Sequence, residues 1–415
     1  MNGVFKKGIV GLFLRFFGAL LNFLLSIYIA RYLIKEEYGN YQFLITLITG
    51  LSIFSRVGMD TYLMSKLPGE ENGRKKFYAL KNSIFLVFIT SLTISVLCLI
   101  FYYIYLHMMN KEIKNAVIIF LSLVPFSLYL LISSIEKAKE NVNTYLFINN
   151  ILPPSFLFLV LFVIQYNKDK LNNVFQSYLL SSFLVMLISF LLMSRNDIKY
   201  KMPIAVKKYH IFLFLKKGAK YIPHSLLTYI LLWVDFFIVS IFLGGEYAAD
   251  YSVASRFTLI ILLAMSVYDG MVAPIIIKDF KINEYSIKLK RKIFNTVLFI
   301  SFFVIITIVL TRYIVFLYGD EYESSLTVAH ILIIAYAVKG MASLPGYVLI
   351  AMNEVSKINR ILLLSLFLNI IASYNLMHYY SIAGVAIGTL MSSTVVVLLS
   401  YYLMFRKLRS KKVAL

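Results

Sequence analysis

The chain has 415 residues, 60% of them hydrophobic, 16% aromatic and only 15% charged, with a formal net charge of +21. A soluble domain carries about 25% charged residues; here the charges fall in short runs between apolar stretches of about twenty residues, each long enough to cross a bilayer core as a helix. That pattern excludes a soluble enzyme, and it places the excess basic charge beside membrane segments, where it sets topology, instead of on a nucleic-acid-binding face.

Backbone groups inside lipid must find partners within their own segment, so the spans are predicted as helices. In chain order they cover 8–30, 39–65, 82–105, 115–135, 144–165, 173–194, 218–242, 249–276, 293–311, 326–350, 361–377 and 381–404, twelve in all. Lys6 and Lys7 precede the first, which is too long for a signal-peptide core and reads as an uncleaved span. With the N-terminus inside, the inner segments hold 29 Lys and Arg residues and the outer loops hold 7. Both termini are therefore expected in the cytoplasm. The outer loops are short, and none has room for a folded catalytic domain. The longest inner connection, 195–217, contains a stretch, 204–217, that mixes basic with aromatic and aliphatic groups. Such a mixture suits either a helix lying in the membrane interface or a stop-transfer cluster.

Charged residues inside spans are costly and usually face a bundle interior or a wet cavity. In the first span Gly11, Arg15, Gly18, Asn22 and Ser26 recur at spacings of three and four, so they share a helical face. Small-residue packing explains the glycines but not Arg15. Arg56 and Asp60, four apart in the second span, are placed to form a local ion pair. Arg15 and Arg56 come at similar depth in neighbouring antiparallel spans, which predicts two guanidinium groups near one carboxylate. Asp235 and Arg256 lie at comparable depth on either side of the turn at Gly244-Gly245, where a structural pair or a gate is expected. His224 and Thr228 fall on the helical side of Asp235 and would suit a proton-linked site. Lys339 lies mid-span close to Gly340, Pro345 and Gly346, so a kinked substrate or gating element is expected there. Asp269 reads as interfacial. The central residues Arg15, Arg56, Arg256 and Lys339 outweigh Asp60 and Asp235, a surplus of positive charge that suits a phosphate or an acidic sugar.

The single cysteine, Cys98, rules out an internal disulfide and a thiolate metal cluster. No metal-ligand cluster, P-loop or nucleophile elbow is present, so no metal, cofactor or catalytic residue is expected. The Gly384–Gly388 pair fits close helix packing.

A weak internal repeat suggests two halves. Lys6-Lys7-Gly8 opens the first span and Lys216-Lys217-Gly218 the seventh, 210 residues on. At the same offset Glu36 and Tyr41 match Glu246 and Tyr251, and Asn40 matches Asp250. Six spans separate the copies, so the repeat is parallel. Three patterns then carry a resemblance: Ala30-Arg31-Tyr32-Leu33 with Glu37-Tyr38-Gly39-Asn40-Tyr41; Trp233-Val234-Asp235 with Leu243-Gly244 and Tyr251-Ser252-Val253-Ala254; and Ala383-Gly384-Val385-Ala386-Ile387-Gly388. The chain resembles the polysaccharide flippases of the multidrug/oligosaccharidyl-lipid/polysaccharide exporter superfamily.

The resemblance implies an all-α membrane protein of twelve transmembrane helices in two six-helix lobes, a parallel pseudo-two-fold repeat, around a central cavity with alternating access. The lobes would be 1–194 and 218–404, joined by the basic linker 195–217 and followed by the tail 405–415. In the O-antigen branch the cargo is a sugar repeat on undecaprenyl diphosphate, moved from the cytoplasmic to the periplasmic leaflet of the bacterial inner membrane. The related lipid II flippases use basic residues in spans one, two and eight, the spans of Arg15, Arg56 and Arg256 here. They commonly have fourteen spans, so twelve resembles the O-antigen type. The expected function is that of a flippase serving O-antigen or capsular polysaccharide biosynthesis, not an enzyme. Its expected partners are the lipid-linked oligosaccharide, membrane lipids and, in the same pathway, a polysaccharide polymerase and chain-length regulator. A cation-coupled drug antiporter of the same fold predicts a surplus of acidic cavity residues, and a membrane polymerase predicts a large outer loop or a compact catalytic cluster.

Overall fold

A computed structural model describes residues 2–68, 73–109, 116–164, 169–193, 208–281, 285–352 and 354–413. Every regular element among them is helical. Ten helices are long and apolar enough to cross a membrane, and the bent pair Lys35–Arg56 and Met59–Lys66 makes an eleventh. The last, Val355–Val413, is interrupted at Ser381, where φ is 51°. The Ser373 hydroxyl lies 3.2 Å from the Val385 carbonyl, twelve residues on. In one straight helix those residues would stand about 18 Å apart, so the chain folds back here and the element comprises two apolar segments. The molecule is an all-helical, multi-pass membrane protein.

By their internal packing the residues form two units, Met1–Leu33 with Phe43–Ile230, and Ile34–Gln42 with Leu231–Leu415. The first contains α1 (Asn2–Tyr32), most of α2 (Lys35–Arg56), α3 (Met59–Lys66), α4 (Gly73–Met109), α5 (Ala116–Leu121) and α6 (Leu123–Ala138). It continues through α7 (Val142–Leu146), α8 (Leu152–Val163), α9 (Lys170–Leu192), α10 (Lys208–Ala219) and the start of α11 (Ile222–Phe242). The buried α6 is apolar nearly all round, as a helix without a solvent face must be. Leu131 and Ile135 of α6 pack with Met59, Leu63 and Leu86 in one core cluster. Between α7 and α8 a π turn, Phe147–Ile151, precedes Pro153 and Pro154. Proline lacks the N–H that would continue the ladder, and the wider turn absorbs the mismatch.

The chain breaks between α2 and α3, with a 51° bend. Val57 and Gly58 both have positive φ, 49° and 66°. Gly58 also lies so close to the Gly218 carbonyl that a Cβ would collide with it. The helix α10 covers part of the expected interfacial stretch; residues 204–207 lie outside the described residues. Its Phe214 ring packs edge-on to Tyr62 at 5.9 Å and Tyr78 at 6.3 Å, anchoring the linker helix on the first unit.

The second unit holds the first residues of α2, the rest of α11, and α12 (Gly245–Lys281), α13 (Tyr285–Tyr318), α14 (Ser325–Met341), α15 (Ser343–Ala351) and α16 (Val355–Val413). In the tenth span, where a kink is expected, the helix is interrupted at Ala342, between α14 and α15, without a bend like that between α2 and α3. Pro345 falls in the first turn of α15, where the missing N–H breaks no helical hydrogen bond. Gly384 and Gly388 face Leu376 and Ser373 across the Ser381 turn, too close for any Cβ. Hydroxyl groups within the spans mostly bond back to their own helix, as Ser133 does to the Leu130 carbonyl and Thr307 to Phe303. That satisfies them without a catalytic partner.

Candidate functional site

Among the polar clusters that the described residues form within or beside the spans, three bear on the expected site. In the first unit Arg56 closes α2 and Asp60 sits in the first turn of α3. Their side chains meet at 2.7 Å across the helix break. The Arg56 Nε also donates to the Ser52 carbonyl at 3.2 Å. Asp60 thus neutralises Arg56 and, at the same time, lies at a helix N-terminus, which favours a carboxylate.

Arg15 does not join them. Gly11 and Gly18 are buried against Leu146 and Asn150, while Arg15 and Asn22 are exposed on α1. The Asn22 amide bonds back to the Gly18 carbonyl at 2.9 Å. Among the described residues Arg15 has no ion pair or hydrogen bond. The expected grouping of two arginines with one carboxylate therefore reduces to the Arg56–Asp60 pair, because the glycine face that packs is narrower than the predicted stripe.

In the second unit the Asp235 carboxylate, 5% exposed, accepts from the Thr389 hydroxyl at 2.7 Å. Asn369 and the Tyr251 hydroxyl stand beside the same carboxylate. Behind them the Ser373 hydroxyl is 2.9 Å from the Asn369 Oδ1. The Lys339 ammonium acts on Asp235 electrostatically from its seat over the Tyr336 ring, 5.3 Å from the centroid. Four elements thus converge on one carboxylate: α11, α12, α14 and both arms of α16. The Ser381 turn makes this possible by bringing Asn369 and Thr389 to the same level.

The expected pair of Asp235 with Arg256 does not form. The Arg256 guanidinium donates to the Gln42 Oε1 at 3.2 Å, while Asp235 faces α16. Equal depth on a hairpin does not fix helical face, and the two side chains point to different neighbours. His224 is also remote from Asp235. It is exposed eleven residues earlier on α11, about 16 Å along a helix, and its carbonyl accepts from Thr228. Asp269 is half-buried and contacts Ser343 and Tyr347 at the α14–α15 break.

A third cluster was not foreseen. The Lys35 ammonium bridges Asp250 at 2.9 Å and donates to the Glu321 carbonyl at 2.6 Å. Ser324 donates to the other Asp250 oxygen at 2.6 Å. Tyr322 packs edge-on to Tyr38 at 6.1 Å, and burial raises its hydroxyl pKa. Gly39 approaches the Gly245 carbonyl so closely that a side chain would collide. The sequence signals were thin: Lys35 stood as one outer-loop charge, and Asp250 only as a position in the repeat. Tyr251 likewise stands only as a position in the repeat, and Asn369, Ser373 and Thr389 carry no signal, since single hydroxyl and amide groups in apolar helices are commonplace.

Among the described residues no group of three His, Cys, Asp or Glu side chains is placed to hold a metal ion.

Residues 4–280 match the family described as polysaccharide biosynthesis protein. The chain belongs to this family. No curated protein matches its sequence. Its fold is shared with solved structures of low identity. A multidrug resistance MATE family transporter of the MOP superfamily, in an inward-facing conformation, is 15% identical with a TM-score of 0.73, over 97% of this chain and 98% of the other. The lipid II flippase MurJ, in an inward closed conformation, is 16% identical with a TM-score of 0.74, over 95% and 87% of the two chains. A MOP superfamily transporter from Pyrococcus furiosus, whose binding pocket is described as of reverse polarity, is 12% identical with a TM-score of 0.61, over 97% and 94%. This polysaccharide biosynthesis protein therefore shares the helical fold of these proteins.

Proposed function

We propose that the protein is a flippase that carries an undecaprenyl-diphosphate-linked oligosaccharide, an O-antigen or capsular repeat unit, from the cytoplasmic to the periplasmic leaflet of the bacterial inner membrane. One observation carries the reading: two intramembrane guanidinium groups lack a carboxylate partner. Arg15 is exposed without a described partner, and Arg256 is bonded to the neutral Gln42. Of the other two cations, Arg56 is matched by Asp60 and Lys339 is set against Asp235. The uncompensated charge is thus arginine, whose planar fork fits a diphosphate bidentately.

In this reading the lobes 1–194 and 218–404 alternate access around a central cavity with both termini in the cytoplasm. The diphosphate engages Arg15 and Arg256, with Arg56, Asp60 and Asn22 near its path, while the polyprenyl chain stays in lipid. The Asp235 cluster, a buried carboxylate ringed by hydroxyl and amide groups beside Lys339, responds to a coupling ion. A polysaccharide polymerase and a chain-length regulator would act on the product. That same cluster favours a second reading, a cation-coupled small-molecule antiporter.

The test is deletion of the gene in its native bacterium, with analysis of surface polysaccharide and undecaprenyl-linked intermediates. Loss of polymer with complete repeat units held on the lipid at the cytoplasmic face is expected. Normal polymer with altered sensitivity to small cations would support the antiporter instead, and periplasmic single repeats that fail to polymerise would point to an enzyme.

A further inference from the structure

We propose that a groove on the first unit, between α4, α6 and α9, binds one hydrocarbon chain of an acidic phospholipid, with Lys81 holding the lipid's phosphate. The groove encloses about 610 Å³, within the range of small-molecule sites. Phe77, Ile84, Pro125, Leu128, Phe190 and Met193 are among its lining, and Lys81 is its one charged group. A water-soluble metabolite would find almost no hydrogen-bonding partner there, whereas an acyl chain needs none. Leu80 and Leu128 form a buried floor that belongs to the core cluster, and Phe85, Phe88 and Phe183 are exposed at the rim. The groove is therefore a permanent feature of the packed unit that opens outward to the hydrocarbon around it.

Charge complementarity selects the headgroup. Phe77, Lys81 and Phe85 recur every four residues, so the ammonium rises from the same face of α4 that lines the groove. Lys81 is eight residues from the start of α4, about 12 Å along the axis, within reach of the interface for a snorkelling lysine. Lys75 and Lys76 occupy the first turns of α4, and α10 ends in Lys216 and Lys217. The contact of Phe214 with Tyr78 brings that second basic pair to the same end of α4. Four lysines thus lie at the end of α4 from which Lys81 rises, and an anionic headgroup is favoured there over a zwitterionic one. With the start of α4 at the cytoplasmic face, the lipid comes from the inner leaflet. The proposal rests on that topology for the leaflet only and is independent of the transported cargo.

The experiment places a reporter at the rim. Phe183→Trp is made in a Trp233→Phe background, so the single tryptophan watches the groove in the purified full-length protein in detergent. Brominated-chain phosphatidylglycerol and phosphatidylcholine are titrated as quenchers. Phosphatidylglycerol is expected to quench at a concentration roughly fivefold lower, the factor that one lysine beside an anionic headgroup supplies. Lys81→Gln should abolish the preference, Lys81→Arg should keep it, and Val124→Phe, which fills the groove, should weaken quenching by both lipids. Thermal melts identify any variant that fails to fold, and the unmodified reporter with Lys81→Arg then decides. Equal quenching by the two lipids, or an unchanged preference in folded Lys81→Gln, overturns the proposal, whatever the transport assay shows.

Discussion

The Lys35 ammonium lies 2.9 Å from the Asp250 carboxylate and ties the first turn of α2 to α12. Asp250 is 3% exposed, so removing the cation leaves a buried, uncompensated charge. Lys35→Met should destabilise the protein by about 3–5 kcal/mol. Asp250→Asn should cost less, because the amide oxygen still accepts from Ser324. In the double variant much of the loss should return. Thermal melts of the four proteins in detergent give the coupling directly; equal losses for Lys35→Met with and without Asp250→Asn would show that the pair adds nothing.

Arg15 and Arg56 should respond differently to truncation. Arg15→Ala breaks no described contact and should lower polysaccharide export about tenfold at unchanged protein abundance, the effect of losing one charge-assisted contact. Arg256→Ala should behave similarly, apart from its bond to Gln42. Arg56→Ala strands Asp60 and should reduce both abundance and export. Quantitative immunoblots beside export assays separate the cases, and normal export in Arg15→Ala would remove it from the substrate path.

Asp235→Asn keeps the shape of its site but leaves Lys339 without its balancing charge. Transport should fall about tenfold, with the protein still folded. Lys339→Met added to Asp235→Asn should restore stability but not transport if the carboxylate answers to an ion. Full transport in the double variant would reduce the pair to a structural one.

Gly58→Ala is expected to cost about 1–2 kcal/mol in backbone conformation alone, with the collision against Gly218 added. The measurable outcome is a lower melting temperature and a smaller monodisperse peak in size-exclusion chromatography. A melting temperature equal to that of the native protein would show that the α2–α3 break relaxes freely.

Lys407 and Lys357 hydrogen-bond to Glu354 and hold its carboxyl below the usual glutamate range. A lowered native value means that the carboxylate stabilises the fold above the ordinary glutamate pKa of about 4.3. That contribution is lost as pH falls through the native value. The melting temperatures of native protein and Glu354→Gln should therefore differ at pH 7 and converge in acid. A difference that persists in acid would assign the effect to the side chain's packing, not its charge.

Local physics was legible in the residues alone. Apolar runs longer than a bilayer core require helices, whatever their neighbours, so the helical type of the spans follows from composition and periodicity, whereas the expected twelve compare with ten or eleven among the described helices. The Arg56–Asp60 pair followed from a four-residue spacing, and it survives even though the helix breaks between them. Partners that lie far apart in sequence were decided by tertiary structure. Asp235 meets Thr389, not Arg256, because the turn at Ser381 folds α16 back on itself and sets the helical faces. Lys35 finds Asp250 because two glycines let the backbones at 39 and 245 approach closely. Arg15 stands apart from Arg56 because the packing face of α1 is only as wide as its glycines. Helical period assigns a residue to a face, but which face meets which helix is set by the packing of all the side chains together.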